Sequence, residues 1–126
     1  MCQRKVLIVE DEFLIRIVLA DALADAGCDV IEAVNVLEAI AILGQCEIDA
    51  VITDVDMPGG LSGFDLARTI SETYRNVPVI ITSGGHRPRP AELPGDAVFV
   101  PKPYGMETMA AMVVDMTAGV ARRLAS

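Results

Sequence analysis

Two aspartates, Asp54 and Asp56, stand one residue apart where the apolar run of "AVITDVDMPGG" (residues 50–60) breaks into a Pro-Gly-Gly turn. Carboxylates at a strand exit can solvate a turn, hold a hard cation such as Mg²⁺, or attack phosphorus as nucleophiles. Other runs end in groups that suit the last two roles. "KVLIVEDE" breaks into Glu10 and Asp11, "VPVIITSGG" ends on Ser83, and "AVFVPKPY" carries Lys102. Crowded carboxylates raise one another's pKa when no cation is present. A shared divalent ion turns that repulsion into attraction, and a substrate phosphate completes its coordination.

Taken singly, each residue has an ordinary explanation. Glu10 and Asp11 suit the first turn of a helix, where acids favour the dipole. Asp54 and Asp56 are good turn formers, and Ser83 before Gly84 and Gly85 is common loop chemistry. A lysine such as Lys102 is usually exposed. The combination points to a site only if the fold brings these positions to one place.

The elements that would do so are legible as a change of period along the chain. "KVLIV" (5–9), "DVIEA" (29–33), "DAVIT" (49–53), "VPVIIT" (77–82) and "AVFVP" (97–101) are short, β-branched and bounded by turn or acidic residues, which predicts strands. Between them, Ile15, Leu19, Ala22, Leu23 and Ala26 trace one helical face ending at Gly27 as C-cap. Asn35 caps a second helix with Ala39, Ile42 and Leu43 inside, and Leu66, Ile70 and Tyr74 mark a third. A last helix is predicted from about Tyr104 to Leu124, with Met109, Val113, Met116 and Val120 along one stripe. Its methionines offer a flexible thioether face for partners or, for Met109 and Met116, ordinary core.

Between the fourth and fifth strands lies "SGGHRPRPAELPGD" (83–96). Pro88, Pro90 and Pro94 lack amide donors and restrict their neighbours, so at most one short turn around Ala91–Leu93 is expected there. The single histidine, His86, falls in this segment and is given no phosphotransfer role. Strands alternating with helices imply an α/β fold with a parallel sheet covered on both faces. In such sheets ligands bind beyond the carboxyl ends of the strands, where Glu10, Asp11, Asp54, Ser83 and Lys102 all fall.

With 126 residues, one domain is expected over 1–126, with no output domain after it. The 52% hydrophobic content supplies a core, and the formal charge of −8 argues against nucleic acid and anionic membrane surfaces as direct partners. No apolar stretch approaches the roughly 18 residues that cross a bilayer, and nothing near the start reads as a signal peptide. Cys2, Cys28 and Cys46 lack metal-like pairing and read as reduced thiols of a cytoplasmic protein.

The motifs "VLIVEDE", "DAVITDVDMPG", "PVIITSG" and "FVPKPY", in this order, make the chain resemble the receiver domain of bacterial two-component response regulators. The resemblance implies a flavodoxin-like, doubly wound five-stranded parallel sheet of order 2-1-3-4-5, here with a shortened or irregular fourth helix. It further implies that Asp54 accepts a phosphoryl group from a phosphohistidine on a partner kinase or phosphotransfer protein. Asp11 and Asp54 would bind Mg²⁺ directly, Glu10 would act through water, and Asp56 would contribute its backbone carbonyl. Lys102 would pair with the phosphoryl oxygens, Ser83 would hydrogen-bond one of them, and Phe99 would follow as the aromatic switch residue unless it is simply core. The Lys102–Pro103 peptide would be cis, and output would run through contact with a downstream effector protein. The loop "MPGGLSG" is one residue longer than the common form. A second reading stays open: "VITDVDMP" is similar to the DxD of Mg²⁺-dependent phosphohydrolases of the haloacid dehalogenase type, with Asp54 as nucleophile and Asp56 as acid/base. That motif normally ends the first strand, and 126 residues leave no cap domain.

Overall fold

The β-branched runs form strands and the 3.6-period stretches form helices in the computed structural model, which describes residues 4–118. In chain order these are β1 (Lys5–Val9), α1 (Phe13–Asp25), β2 (Asp29–Ala33), α2 (Val36–Gln45), β3 (Ala50–Asp54), α3 (Gly63–Thr73), β4 (Val79–Ser83), a 3₁₀ turn (Pro90–Glu92), β5 (Val98–Pro101) and α4 (Met106–Met116). The strands pair in parallel in the order β2-β1-β3-β4-β5, as expected. Every residue of β3 and β4 is buried, which a central strand covered on both faces requires. One face packs Leu7, Val51 and Ile81 against Leu43 of α2 and Leu66 and Ile70 of α3. The other packs Ile8, Ile52 and Ile80 against Leu19 and Leu23 of α1 and Met109 and Val113 of α4. Each such side chain stabilises the fold by about 1.5–3 kcal/mol.

Small shifts of strand ends matter for the site. β3 runs one residue beyond the sequence expectation, so that Asp54 pairs with Thr82 in the ladder. β4 starts at Val79 because Pro78 has no N–H for the ladder, and it runs on through Ser83. Asp54 and Ser83 are therefore held by the sheet rather than by loops. Between β4 and β5 the prolines leave only the turn Pro90–Glu92, so the predicted shortening of the fourth crossover is complete. β5 ends the strand order and is an edge strand, with Val98 exposed and Phe99 half-buried.

Asn35 caps α2 by accepting from the Glu38 N–H at 2.8 Å. Ser62 and Asp65 cap α3 reciprocally, and the Ser62 N–H holds the Asp65 carboxyl below its ordinary pKa. Gly27 lies just past α1 with φ +91°, a conformation that favours glycine. Ala26, placed on the inner face of α1 by its spacing, is exposed instead, because it stands at the C-cap beyond the last full turn. Met109 and Val113 are buried and Met116 is half-buried, whereas Val120, Leu124 and Cys2 lie outside the described residues. Cys28 is buried and free, and burial pushes its thiol pKa up. Among the described residues no helix is long and apolar enough to cross a membrane.

Candidate functional site

The carboxyl edge of the sheet gathers its polar groups through one lysine. Glu10, one residue past β1, keeps the ladder going by donating its N–H to Ala33 O at 3.0 Å. Arg16 of α1 donates to the Glu10 carbonyl at 2.9 Å and pairs with Glu32 at 2.9 Å, which fixes the β1–α1 turn. The Glu10 carboxylate is thereby turned inward and is only 3% exposed. Its Oε1 lies 2.8 Å from Lys102 Nζ, and its Oε2 accepts the Glu12 N–H at 3.1 Å. Asp54, 8% exposed, places Oδ2 3.2 Å from the same Nζ, while Oδ1 accepts the Val55 N–H at 3.0 Å. Lys102 follows β5, and its N–H donates to Ser83 O at 3.0 Å ahead of a cis bond to Pro103. Asp11 completes the group from the exposed side: oxygens of Glu10, Asp11 and Asp54 lie within 4.8 Å of one another.

Burial, and after it the Glu10 charge, push the Asp54 carboxyl above its ordinary pKa. The Lys102 ammonium and the Val55 N–H oppose this without cancelling it. For Lys102, burial works against the charged form, but the Glu10 hydrogen bond and the Asp54 and Glu10 charges outweigh it and raise its pKa. Tyr104 beside them is pushed up to about 12, chiefly by burial. Three carboxylates against one ammonium leave two negative charges in excess (3 − 1 = 2) when all are ionised. A hard divalent cation matches both that excess and the all-oxygen donor set, so the residues fit Mg²⁺.

The other predicted site residues lie around this group. The Asp56 carboxylate is exposed, lies outside the acidic group, and approaches His86 Nε2 at 3.3 Å. Ser83 is fully buried, with Oγ accepting the N–H groups of Gly85 and His86 at 3.1 and 3.0 Å. Phe99 stands opposite Ile81 in the ladder and packs partly on the core face shared by Phe64 and Leu93.

Two features were not read from the chain. Gly63, the first residue of α3, donates its N–H to Val55 O at 2.9 Å, and a Cβ there would overlap the Asp54 carbonyl oxygen. α3 thus starts directly against the end of β3, and the only sequence signal was a glycine immediately after the cap Ser62. Gly63→Ala is expected to lower stability by about 1–3 kcal/mol through this overlap, measured by urea unfolding. The second feature is the outer face of α1, where Phe13, Leu14, Ile17 and Val18 are 60%, 75%, 36% and 48% exposed. The polar residues of α1 are only Arg16, Asp21 and Asp25, so no polar stripe opposite Leu19 and Leu23 marks the outer face as facing water.

The model of the response regulator receiver domain matches residues 6–114. The chain is 36% identical over 116 residues to the sensor kinase CckA of Brucella abortus, a likeness covering 88% of this chain and 12% of that protein. It is 32% identical over 81 residues to the sporulation initiation phosphotransferase F of Bacillus subtilis, covering 64% of each. Among solved structures, the chemotaxis response regulator CheY4 of Vibrio cholerae matches with a TM-score of 0.80 at 26% identity, over 91% of this chain and 99% of that one. The Francisella response regulator 1452 receiver domain matches with a TM-score of 0.83 at 22% identity, over 94% of this chain and 99% of that one, which speaks for the fold. Nothing in these likenesses points to the phosphohydrolase alternative. Matched over most of its length, and with its acids and lysine converging where the strands end, the chain belongs to the response regulator receiver domain family, phospho-accepting signalling domains of two-component systems.

Proposed function

We propose that Asp54 accepts a phosphoryl group from a phosphohistidine of a partner kinase or phosphotransfer protein, and that the modification switches a surface read by a downstream effector. The observation carrying this reading is the buried Asp54 at the end of β3, within reach of Glu10, Asp11 and Lys102. A carboxylate oxygen attacks phosphorus in line, a P–O bond forms as the P–N bond breaks, and the donor imidazole leaves with the electron pair. The Lys102 ammonium moves from the carboxylates to the phosphoryl oxygens, so the site works by placing charge rather than by removing a proton. Glu10, Asp11, Asp54 and the Asp56 backbone carbonyl would hold Mg²⁺, which when bound neutralises charge on the phosphoryl oxygens. Hydrolysis of the anhydride by water returns Asp54 to its carboxylate and limits the signal.

The phosphoryl group adds about two negative charges, and these bias a two-state equilibrium. The Ser83 hydroxyl donates to a phosphoryl oxygen, and Phe99, only half-buried on the edge strand, turns into the space beside it. The apolar face of α1 begins two residues after Asp11, and this continuity supports it as the surface on which the phosphodonor docks. The formal charge of −8 supports a protein partner rather than nucleic acid or an anionic membrane.

Thermal melts in Mg²⁺ and labelling with acetyl phosphate test the reading. Mg²⁺ is expected to stabilise the fold as RT ln(1 + [L]/Kd), about 1.4 kcal/mol at ten times Kd. Acetyl phosphate with Mg²⁺ is expected to add one phosphoryl group by intact mass. Absence of any shift or label at millimolar Mg²⁺ overturns the assignment. Steady turnover of a generic phosphoester, lost in Asp56→Ala, would restore the phosphohydrolase reading.

A further inference from the structure

The first residues of the β4–β5 crossover are fastened in a way that the phosphoacceptor reading leaves unused. His86 Nε2 lies 3.3 Å from Asp56 Oδ1, tying the exit of β4 to the exit of β3. The other flank of the imidazole meets the Phe64 ring of α3 edge-on, with centroids 6.2 Å apart and planes at 85°. Between Ser83 and His86 stand only Gly84 and Gly85, both exposed. Glycines carry no side chain to restrain their dihedrals, so the path of this segment rests on what holds its two ends. One end is the sheet; the other is the His86 ring.

The path matters because of what it does to Ser83. The N–H groups of Gly85 and His86 both point at Ser83 Oγ, at 3.1 and 3.0 Å. A hydroxyl has two acceptor lone pairs and one O–H. With both lone pairs taken by the loop amides, tetrahedral geometry turns the O–H away from the loop. Among the described residues that hydroxyl has no acceptor of its own. Asp54 pairs with Thr82, so Ser83 is one position further toward the carboxyl edge, where a phosphoryl group on Asp54 would lie.

We infer that His86 is a positioning residue: by clasping Asp56 and Phe64 it holds the Gly85 and His86 amides on Ser83 Oγ and keeps the Ser83 O–H directed to the incoming phosphoryl group. The inference rests on Asp54 being the phosphoacceptor. Without the clasp, the two glycines release the amides, and the hydroxyl must be oriented during transfer instead of before it.

The test is the initial rate of Asp54 labelling by acetyl phosphate in Mg²⁺, on the full chain, for wild type, His86→Ala, His86→Gln, Ser83→Ala and the double variant His86→Ala/Ser83→Ala. His86→Ala is expected to slow labelling about three- to tenfold, the rate equivalent of one net hydrogen bond. His86→Gln, which can still donate to Asp56, recovers most of the rate. In the Ser83→Ala background the His86→Ala change disappears, whereas a merely structural effect would persist there. Amide exchange gives a second readout: the Gly85 and His86 N–H groups exchange faster in His86→Ala, with the core amides unchanged. Equal rates for wild type and His86→Ala, an undiminished His86 effect in Ser83→Ala, or unchanged exchange at Gly85 and His86 each overturn the inference while Asp54 labelling stands. A wild-type chain that takes no label at Asp54 overturns the phosphoacceptor reading itself.

Discussion

Asp54→Asn is expected to lose phosphorylation by on the order of a thousandfold or more, because the amide offers phosphorus no anionic oxygen. The same substitution is expected to raise thermal stability at neutral pH in the absence of Mg²⁺. Asp54 is 8% exposed, and burial followed by the Glu10 charge raise its pKa above the ordinary 3.8. A carboxyl raised in the folded state contributes stability that is fully present below its unfolded pKa and is lost as pH rises through the folded value. At neutral pH the wild type therefore carries a charge that weighs against its fold, and the neutral amide does not. The difference in melting temperature should vanish near pH 3, where both chains are neutral at this position, grow as pH rises from the unfolded toward the folded pKa of Asp54, and level off above it. Adding Mg²⁺ should narrow the gap by stabilising the wild type preferentially. Melts of both chains across this range, with mass spectrometry for the label, check the two halves separately. An asparagine variant that labels normally, or that melts below wild type at neutral pH, would contradict them.

Lys102→Met carries the second large effect. Nζ is the only side-chain cation within 4.0 Å of the Glu10 and Asp54 carboxylates among the described residues, at 2.8 and 3.2 Å. Those carboxylates have side chains only 4% and 10% exposed, so without the ammonium they are left largely buried with one backbone N–H each and no opposite charge against their mutual repulsion. Breaking a buried pair in this way costs roughly 3 kcal/mol, and urea unfolding at neutral pH should show that loss. Acidification should reduce the deficit as Asp54 takes up its proton. At the alkaline end the sign reverses. The Lys102 pKa is raised above 10.5, so its stabilisation is complete below that value and is lost as pH rises through the folded pKa. The wild type should show that alkaline step, and the methionine variant should lack it. Phosphoryl transfer should fall about 10²–10³-fold, the usual cost of removing one preorganised donor to transition-state charge. Mg²⁺ should restore part of the stability and little of the rate, since the cation cannot stand where the lysine meets the phosphoryl group. A variant with wild-type rate and stability would show that Nζ is a bystander.

These effects trace to residues that are legible in the amino-acid sequence alone. Glu10, Asp11, Asp54, Ser83 and Lys102 each follow a short β-branched run, and parallel strands linked by helices all end at one edge. Run lengths, the change of period and the prolines at 88, 90 and 94 are local signals. They sufficed for five strands, their order through the resemblance, and a crossover reduced to one turn.

What only the tertiary structure decided depends on contacts between segments far apart in sequence. The Asp56 carboxylate turns to His86, thirty residues on, rather than toward Asp54, because the exits of β3 and β4 lie side by side. Gly63 appears in the chain as an ordinary loop glycine, and only the docking of α3 on β3 shows that a Cβ would strike the Asp54 carbonyl. The spacing along α1 already puts Leu19 and Leu23 inside, but only the packed sheet shows that Phe13, Leu14, Ile17 and Val18 are left facing out. The residue types at each strand end were written in the sequence as local pattern; the directions of the side chains were not, because direction is set by whichever neighbours the packed sheet supplies.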